Sequence, residues 1–318
     1  MSPPRWTASP KHGLTQWYGH VHLLRDLVVG QWFATRRTDG TLVWEQRHPR
    51  ANTVRDISEA NGVILATETR SDGPWTADFG CYAISLETGE LLWCNHGRGA
   101  GGGLLRILDF VPGFTNEFRD TACAIRDGQC LCESGRLLDL HSGEPLGQLS
   151  RKEVEVIRQE RMLARAEPLY HSGEVDLPDL GLRVSNHTRV VDGGVRRQRG
   201  TLRLETFDEN GASRWNFDIA ATKYHIDGNF YSYRLISPYI YLVVSEAAQR
   251  KVHPKRPHTS LPNASPYHIL VLDIRSGELV QDTRIQNAPC ETARIEDVDD
   301  AGLLIGVDGK TLFYFELD

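Results

Sequence analysis

The chain has 318 residues, a formal net charge of -6 at neutral pH, 40% apolar and 25% charged residues. That is the balance of a soluble globular protein; it excludes a chain that coats nucleic acid over its whole surface, while leaving room for a local basic patch. No apolar run approaches the ~18 residues that cross a bilayer, and Met1-Ser2-Pro3-Pro4-Arg5-Trp6 lacks the apolar core of a signal peptide, so the expectation is a cytoplasmic protein with no membrane attachment.

In chain order, Arg5-Trp6-Thr7 reads as a lone strand ahead of the first repeat. That repeat closes on Thr38-Asp39-Gly40-Thr41-Leu42-Val43-Trp44, an apolar strand reached through a polar turn. The second unit splits into four strands: Val54 to Ala60, Val63 to Arg70, Cys81 to Leu86 and Glu90 to Cys94, with a hairpin turn at Asn61-Gly62. Asn-Gly suits a two-residue hairpin because both central residues take positive φ. Gly97-Arg98-Gly99-Ala100-Gly101-Gly102-Gly103 follows as a flexible crossover. It lacks the Gly-Lys-Ser/Thr ending of a phosphate loop, and no helix is signalled after it.

The third unit repeats the layout, with a strand ending at Arg126, a turn at Asp127-Gly128, then Gln129 to Glu133 and Arg136 to Leu140. Counting outward from the turn pairs Ile125 with Cys130 and Cys123 with Cys132. Opposed residues at a non-hydrogen-bonded position lie ~4.5 Å apart at Cα, within disulfide reach. In a reducing cytoplasm Cys123 and Cys132 read first as buried free thiols, with a redox pair or a thiolate metal site as alternatives. The six cysteines contain no CxxC pair, so neither a disulfide framework nor a zinc ribbon is indicated. Ser150-Arg151-Lys152-Glu153 is a capping box, and Val154, Ile157 and Leu163 supply an apolar stripe, which predicts an inserted helix over 151–166.

Beyond the helix, Phe207 to Trp215 around Gly211 marks a fourth unit, and Leu272 to Val280 around Gly277 a fifth. In the fifth, Asn229 to Ile236 and Tyr239 to Ser245 flank a turn at Ser237-Pro238, and the near-continuous apolar run of the second strand suits burial on both faces. Segments 192–200 and 246–266 read as disordered loop excursions. The sixth unit offers Ala293 to Asp299, Leu303 to Val307 and Lys310 to Leu317, and then the chain stops. Its missing fourth strand is expected from Arg5-Trp6-Thr7, because Trp6 matches Trp44, Trp93 and Trp215, and joining the termini removes an exposed sheet edge.

The marker glycines at 40, 89, 143, 211 and 277 recur every 49 to 68 residues, as a four-stranded unit with variable loops would. The phrase Leu86-Glu87-Thr88-Gly89-Glu90-Leu91-Leu92-Trp93 resembles the repeat of the quinoprotein-like (PQQ-like) β-propellers, whose fourth-strand Trp docks between neighbouring blades. Units three and six lack that Trp. The resemblance implies an all-β, six-bladed propeller (five or seven blades staying open) as a single domain over 1–318, closed by its terminal strands and carrying one short helical insertion. It does not imply the quinone, because many such repeats serve as scaffolds.

In each antiparallel blade the loop between the second and third strands leaves from one face, and the turn between the third and fourth from the other. That rule gathers Arg98, Arg196, Arg197, Arg199, Arg250, Lys251, Lys255 and Arg256, with Trp75 beside them, on one face, and Asp39, Glu87, Glu90, Glu144, Asp208, Glu209 and Glu278 on the other. Clustered Arg offers paired hydrogen bonds to carboxylate or phosphate, although charges in long polar loops also occur simply because they are well solvated there. No catalytic residue, metal site or cofactor is indicated: Asp297 to Gly302 lacks calcium-loop spacing, His20-x-His22 has no third ligand, and no Gly-x-Ser-x-Gly or HExxH occurs. The expected function is a monomeric, non-catalytic platform for a protein with an acidic or phosphorylated surface, nucleic acid being a lesser option. The alternatives are a quinoprotein-type dehydrogenase and a propeller hydrolase or lyase acting at the central channel.

Overall fold

A computed structural model describes residues 3–14, 21–48, 51, 53–72, 75–95, 122–164, 173–177, 180, 182–191, 199–227, 233–236, 238–246, 252–253, 256–260, 266–286 and 293–317. They form antiparallel β-sheets and one short α-helix, in two compact units: residues 10–166, and residues 167–318 together with the first nine. No helix among the described residues is long and apolar enough to cross a membrane.

The opening strand, β1 (Trp6–Ala8), belongs to the second unit. The first unit holds three four-stranded meanders. Module one is β2 (His22–Leu23), β3 (Leu27–Val29), β4 (Phe33–Arg36) and β5 (Leu42–Glu45). Module two is β6 (Thr53–Ser58), β7 (Val63–Asp72), β8 (Trp75–Ser85) and β9 (Leu91–Asn95). Module three is β10 (Ala122–Arg126), β11 (Gln129–Cys132), β12 (Arg136–Asp139) and β13 (Pro145–Gln148). The helix α1 (Arg151–Ala164) starts where the capping box places it. The Glu153 amide donates to Ser150 Oγ at 3.3 Å, and the Ser150 amide to Glu153 Oε2 at 2.8 Å, so two otherwise orphaned donors are satisfied. Val154 and Ile157 seat the helix on Ala124 and Leu131.

In the second unit, module four is β14 (Gly173–Leu177), β15 (Leu182–Val191), β16 (Arg199–Asp208) and β17 (Ser213–Asp218). A bridging strand, β18 (Tyr224–Asp227), follows. Module five is β19 (Tyr233–Ile236) and β20 (Tyr239–Glu246), then, after a two-stranded pair of β21 (Val252–His253) and β22 (Arg256–Ser260), β23 (Tyr267–Asp273) and β24 (Leu279–Arg284). Module six is β25 (Ala293–Asp299), β26 (Gly302–Val307) and β27 (Thr311–Glu316), completed by β1, whose Trp6 faces Tyr314. The N-terminus thus supplies the missing strand, as the sequence suggests.

The marker phrase is explained by one turn and one docking contact. The amides of Gly40, Gly89, Gly143 and Gly277 each donate to the carbonyl four residues back, of Arg36, Ser85, Asp139 and Asp273, with φ of 72 to 74°. Glycine is required because a side chain is strained in that left-handed conformation. Two residues of the preceding module then use the vacant space: Trp44 covers Gly89 and Trp93 covers Gly143, while in the other unit Trp215 covers Gly277. Each indole donates to a carbonyl of the same turn, Trp44 to Leu86 at 2.8 Å, Trp93 to Leu140 at 2.9 Å and Trp215 to Ile274 at 2.8 Å. The rest of the adhesion is aliphatic: Ile64, Ile84 and Leu86 pack against Val29 and Ala34, each buried side chain contributing ~1.5–3 kcal/mol.

Several expected boundaries shift. Asn61-Gly62 is no two-residue turn, since Ser58 faces Val63 across four residues and only Gly62 has positive φ. Asp127-Gly128 is one, with φ of 49 and 73°. β8 begins at Trp75 rather than Cys81, because β7 and β8 pair out to Asp72 and Trp75; Trp75 is a strand residue, in a stretch whose Trp, Thr and Phe favour pleated backbone. The segment 246–266 contains the β21–β22 pair, and β16 starts at Arg199, so neither excursion is wholly irregular.

The Cys123–Cys132 register is also corrected. Cys132 faces Ala122, and Cys123 is the extra residue of a bulge. Arg55 in module two and Glu296 in module six sit in the same kind of bulge on the first strand, so three modules share the insertion.

Candidate functional site

Most of the expected basic face lies outside the described residues: Arg98, Arg196, Arg197, Arg250, Lys251 and Lys255, as does the glycine-rich crossover. Arg199 and Arg256 are placed in β16 and β22, and Trp75 in β8. What the structure does supply is the framework from which two of these segments spring. β15 and β16 pair over ten consecutive positions, to Val191 opposite Arg199, so segment 192–198 joins the ends of a long hairpin. β18 lies beside that end, with Asp227 opposite Arg199 and Ile226 opposite Gly200. Its other edge faces the end of β20, Tyr224 opposite Glu246 and His225 opposite Ser245. Modules four and five thereby fuse into one nine-stranded sheet. The start of β16 thus lies at the Asp227 end of β18 and the end of β20 at its Tyr224 end.

A polar cluster reinforces this junction, and no sequence pattern pointed to it. His268 on β23 is 9% exposed; its Nδ1 lies 2.6 Å from Asp282 Oδ1 on β24, and its Nε2 3.3 Å from Glu246 Oε1 on β20. Tyr224 on β18 donates its hydroxyl to Asp282 Oδ2. Lys223 completes the set, 3.4 Å from Glu246 Oε1 and 4.9 Å above the Tyr224 ring. Burial works to raise the Asp282 carboxyl, yet hydrogen bonds from Tyr224 and His268, with the charges of His268 and Lys223, outweigh it and hold the group below the ordinary aspartate value. Burial, and then Asp282, push the Tyr224 phenol up. This Tyr-Asp-His-Glu set stitches β18, β20, β23 and β24 together.

Two acidic residues of the opposite turns, Asp39 and Asp208, fix their own turns. Asp39 accepts the Thr41 amide at 2.8 Å, and Asp208 those of Asn210 and Ala212 at 2.9 Å. Beside those turns the fourth strands open with exposed aliphatics at matching positions: Leu42 and Val43, Leu91 and Leu92, Leu146, and Leu279 with Val280. Glu296 is a buried carboxylate held 2.7 Å from Arg294 Nε, in space left by Gly306.

Cysteines converge elsewhere than expected. Cys132 meets Cys81 of module two, Sγ to Sγ 3.3 Å, with Cys130 beside them, all three buried. Hydrogen bonding to Cys130 and Cys132, and then burial, raise the Cys81 thiol well above its ordinary value.

No protein-family model matches the chain, and no curated protein matches it. Among solved structures it is similar to BamB from Moraxella catarrhalis, a PQQ-like repeat β-propeller, at 12% identity over 98% of this chain and 87% of that one, with a TM-score of 0.28. A member of the DUF4221 family from Bacteroides vulgatus is 10% identical over 98% of this chain and 96% of that one, with a TM-score of 0.36. Saccharomyces cerevisiae Sqt1 is 10% identical over 90% and 65%, with a TM-score of 0.24. Likeness at that level carries no argument about this protein, so the reading of its modules rests on their own strand order and tryptophan docking.

Proposed function

We propose that the six four-stranded modules are blades of a propeller-type platform that binds another protein without catalysing a reaction on it, in the cytoplasm. The observation carrying this reading is β18. It pairs with the start of β16 and with the end of β20, so the strands that border the connections bearing Arg196 and Arg197 on one side and Arg250, Lys251 and Lys255 on the other are joined in one sheet through a four-residue strand. Arginine and lysine concentrated there favour an acidic or phosphorylated protein surface, through charge-assisted hydrogen bonds that are strongest with carboxylate and phosphate. The turns that repeat are occupied with holding the modules together, which leaves the divergent connections to carry specificity.

The test is capture from native lysate by the wild type and by a variant carrying Arg196→Glu, Arg197→Glu, Arg250→Glu and Lys251→Glu, after circular dichroism has shown both to be folded. A protein retained by the wild type, released by salt and lost by the variant supports the platform. Equal retention by both removes the basic segments from the explanation, and retained material absorbing as nucleic acid points to the lesser alternative.

A further inference from the structure

Cys81 is 51 residues from Cys132 along the chain, yet the two meet in space with Cys130 beside them. Cys130 and Cys132 stand two apart on β11 and so project from the same face of its sheet. Cys81 reaches them from β8 of the neighbouring module, and all three Sγ atoms lie within 4.8 Å of one another. The surroundings are Val63, Leu65, Ala83, Leu138 and Leu140, an aliphatic interface in which any small apolar residue would pack as well. Three cysteines meet at this point, while Cys94 is exposed.

The spacing matches a coordination shell. A metal-to-sulfur bond of ~2.3 Å puts ligand sulfurs ~3.8 Å apart in a tetrahedral arrangement and ~4.0 Å apart in a trigonal one. The 3.3 Å contact between Cys81 and Cys132, with every Sγ separation within 4.8 Å, is near enough to those values that small side-chain rotations would seat an ion. Thiolates are soft donors that select copper(I) and zinc-group ions over hard cations.

We propose that Cys81, Cys130 and Cys132 form a thiolate site for one thiophilic d10 cation, bridging modules two and three. Binding replaces three S–H bonds by three metal–sulfur bonds and releases three protons, with no change of oxidation state. In the empty protein hydrogen bonding to Cys130 and Cys132, and then burial, raise the Cys81 thiol well above its ordinary value and so keep it protonated. The ion therefore enters during folding or through a local opening of the interface, and its affinity falls steeply as pH drops.

The experiment refolds the full chain under reducing conditions with cadmium(II), standing in for zinc(II), or with copper(I). It reads bound metal by native mass spectrometry, and for cadmium the sulfur-to-metal charge-transfer band. One ion per chain, three protons released and a band that fades on acidification are expected. Cys94→Ala should leave uptake unchanged, whereas Cys81→Ala and Cys132→Ala should each weaken it at least tenfold. Because a core variant can fail to fold, the stoichiometry and proton release of the wild type stand as an independent readout. Which ion loads identifies the source of the chemistry. Uptake of neither ion, or uptake untouched by the cysteine variants, overturns the site. So does a wild type purified without reductant that is two hydrogens lighter and regains them on reduction, which would make the cluster a disulfide instead.

Discussion

Replacing Gly89 by alanine separates the two functions assigned to the marker glycine. An alanine Cβ at this position would sit 2.5 Å from Trp44 Cε3, in a backbone with φ of 74°. The backbone term alone is ~1–2 kcal/mol, the cost of a left-handed L-residue. Displacing the indole adds ~1–2 kcal/mol for the buried hydrogen bond to the Leu86 carbonyl, left without its donor, and ~1–2 kcal/mol for lost ring packing. Gly89→Ala should therefore destabilise by ~3–6 kcal/mol. Gly62 is the control within the same unit: its φ is 65° and nothing lies within 4 Å of a Cβ, so Gly62→Ala should show the backbone term only. Urea unfolding followed by circular dichroism gives both values. In a Trp44→Ala background the Gly89→Ala increment should fall to that of Gly62→Ala, as the coupling in a double-mutant cycle requires. If the two glycine variants are equally destabilised in the wild-type background, the docking argument is refuted.

Two further predictions concern pH. Asp282 is held below the ordinary aspartate value, so its contribution is present above that value and is lost as pH falls through the lowered one; Asp282→Asn should flatten the acid limb of stability, measured by thermal melts across acidic buffers, and an unchanged limb would show that the Tyr224–His268 contacts do not form in solution. Tyr241 runs the other way: burial, then Tyr239, raise it from 10.0 to about 12. Below 10 both states are neutral, and as pH climbs from 10 to about 12 the unfolded chain ionises first and stability drops, so Tyr241→Phe should resist alkaline unfolding over that window, read by circular dichroism.

Much of the fold was legible because it is built from local rules that recur. The capping box over Ser150 and Glu153, the Asp127-Gly128 hairpin and the glycine turns each depend on a handful of consecutive residues. The fourth-strand tryptophans announced the docking of one module on the next, and Trp6 announced the strand that completes module six. At Cys123 the count failed because of a bulge. Alternation along a strand has a period of two, and one inserted residue at Cys123 moved every assignment beyond it by one position.

The site was less legible than the fold. The sequence singled out arginines in the long connections by composition, but not that the strands bordering two of those connections, β16 and β20, are joined through β18. Asp282, His268 and Tyr224 come from three strands and are 14 to 58 residues apart, and Cys81 is 51 from Cys132. Turn chemistry, strand alternation and the repeat are short-range regularities, and the sequence alone determined them. Which side chains from different modules meet depends on how whole sheets pack face to face, a relation without a sequence period, and only the tertiary structure decided it.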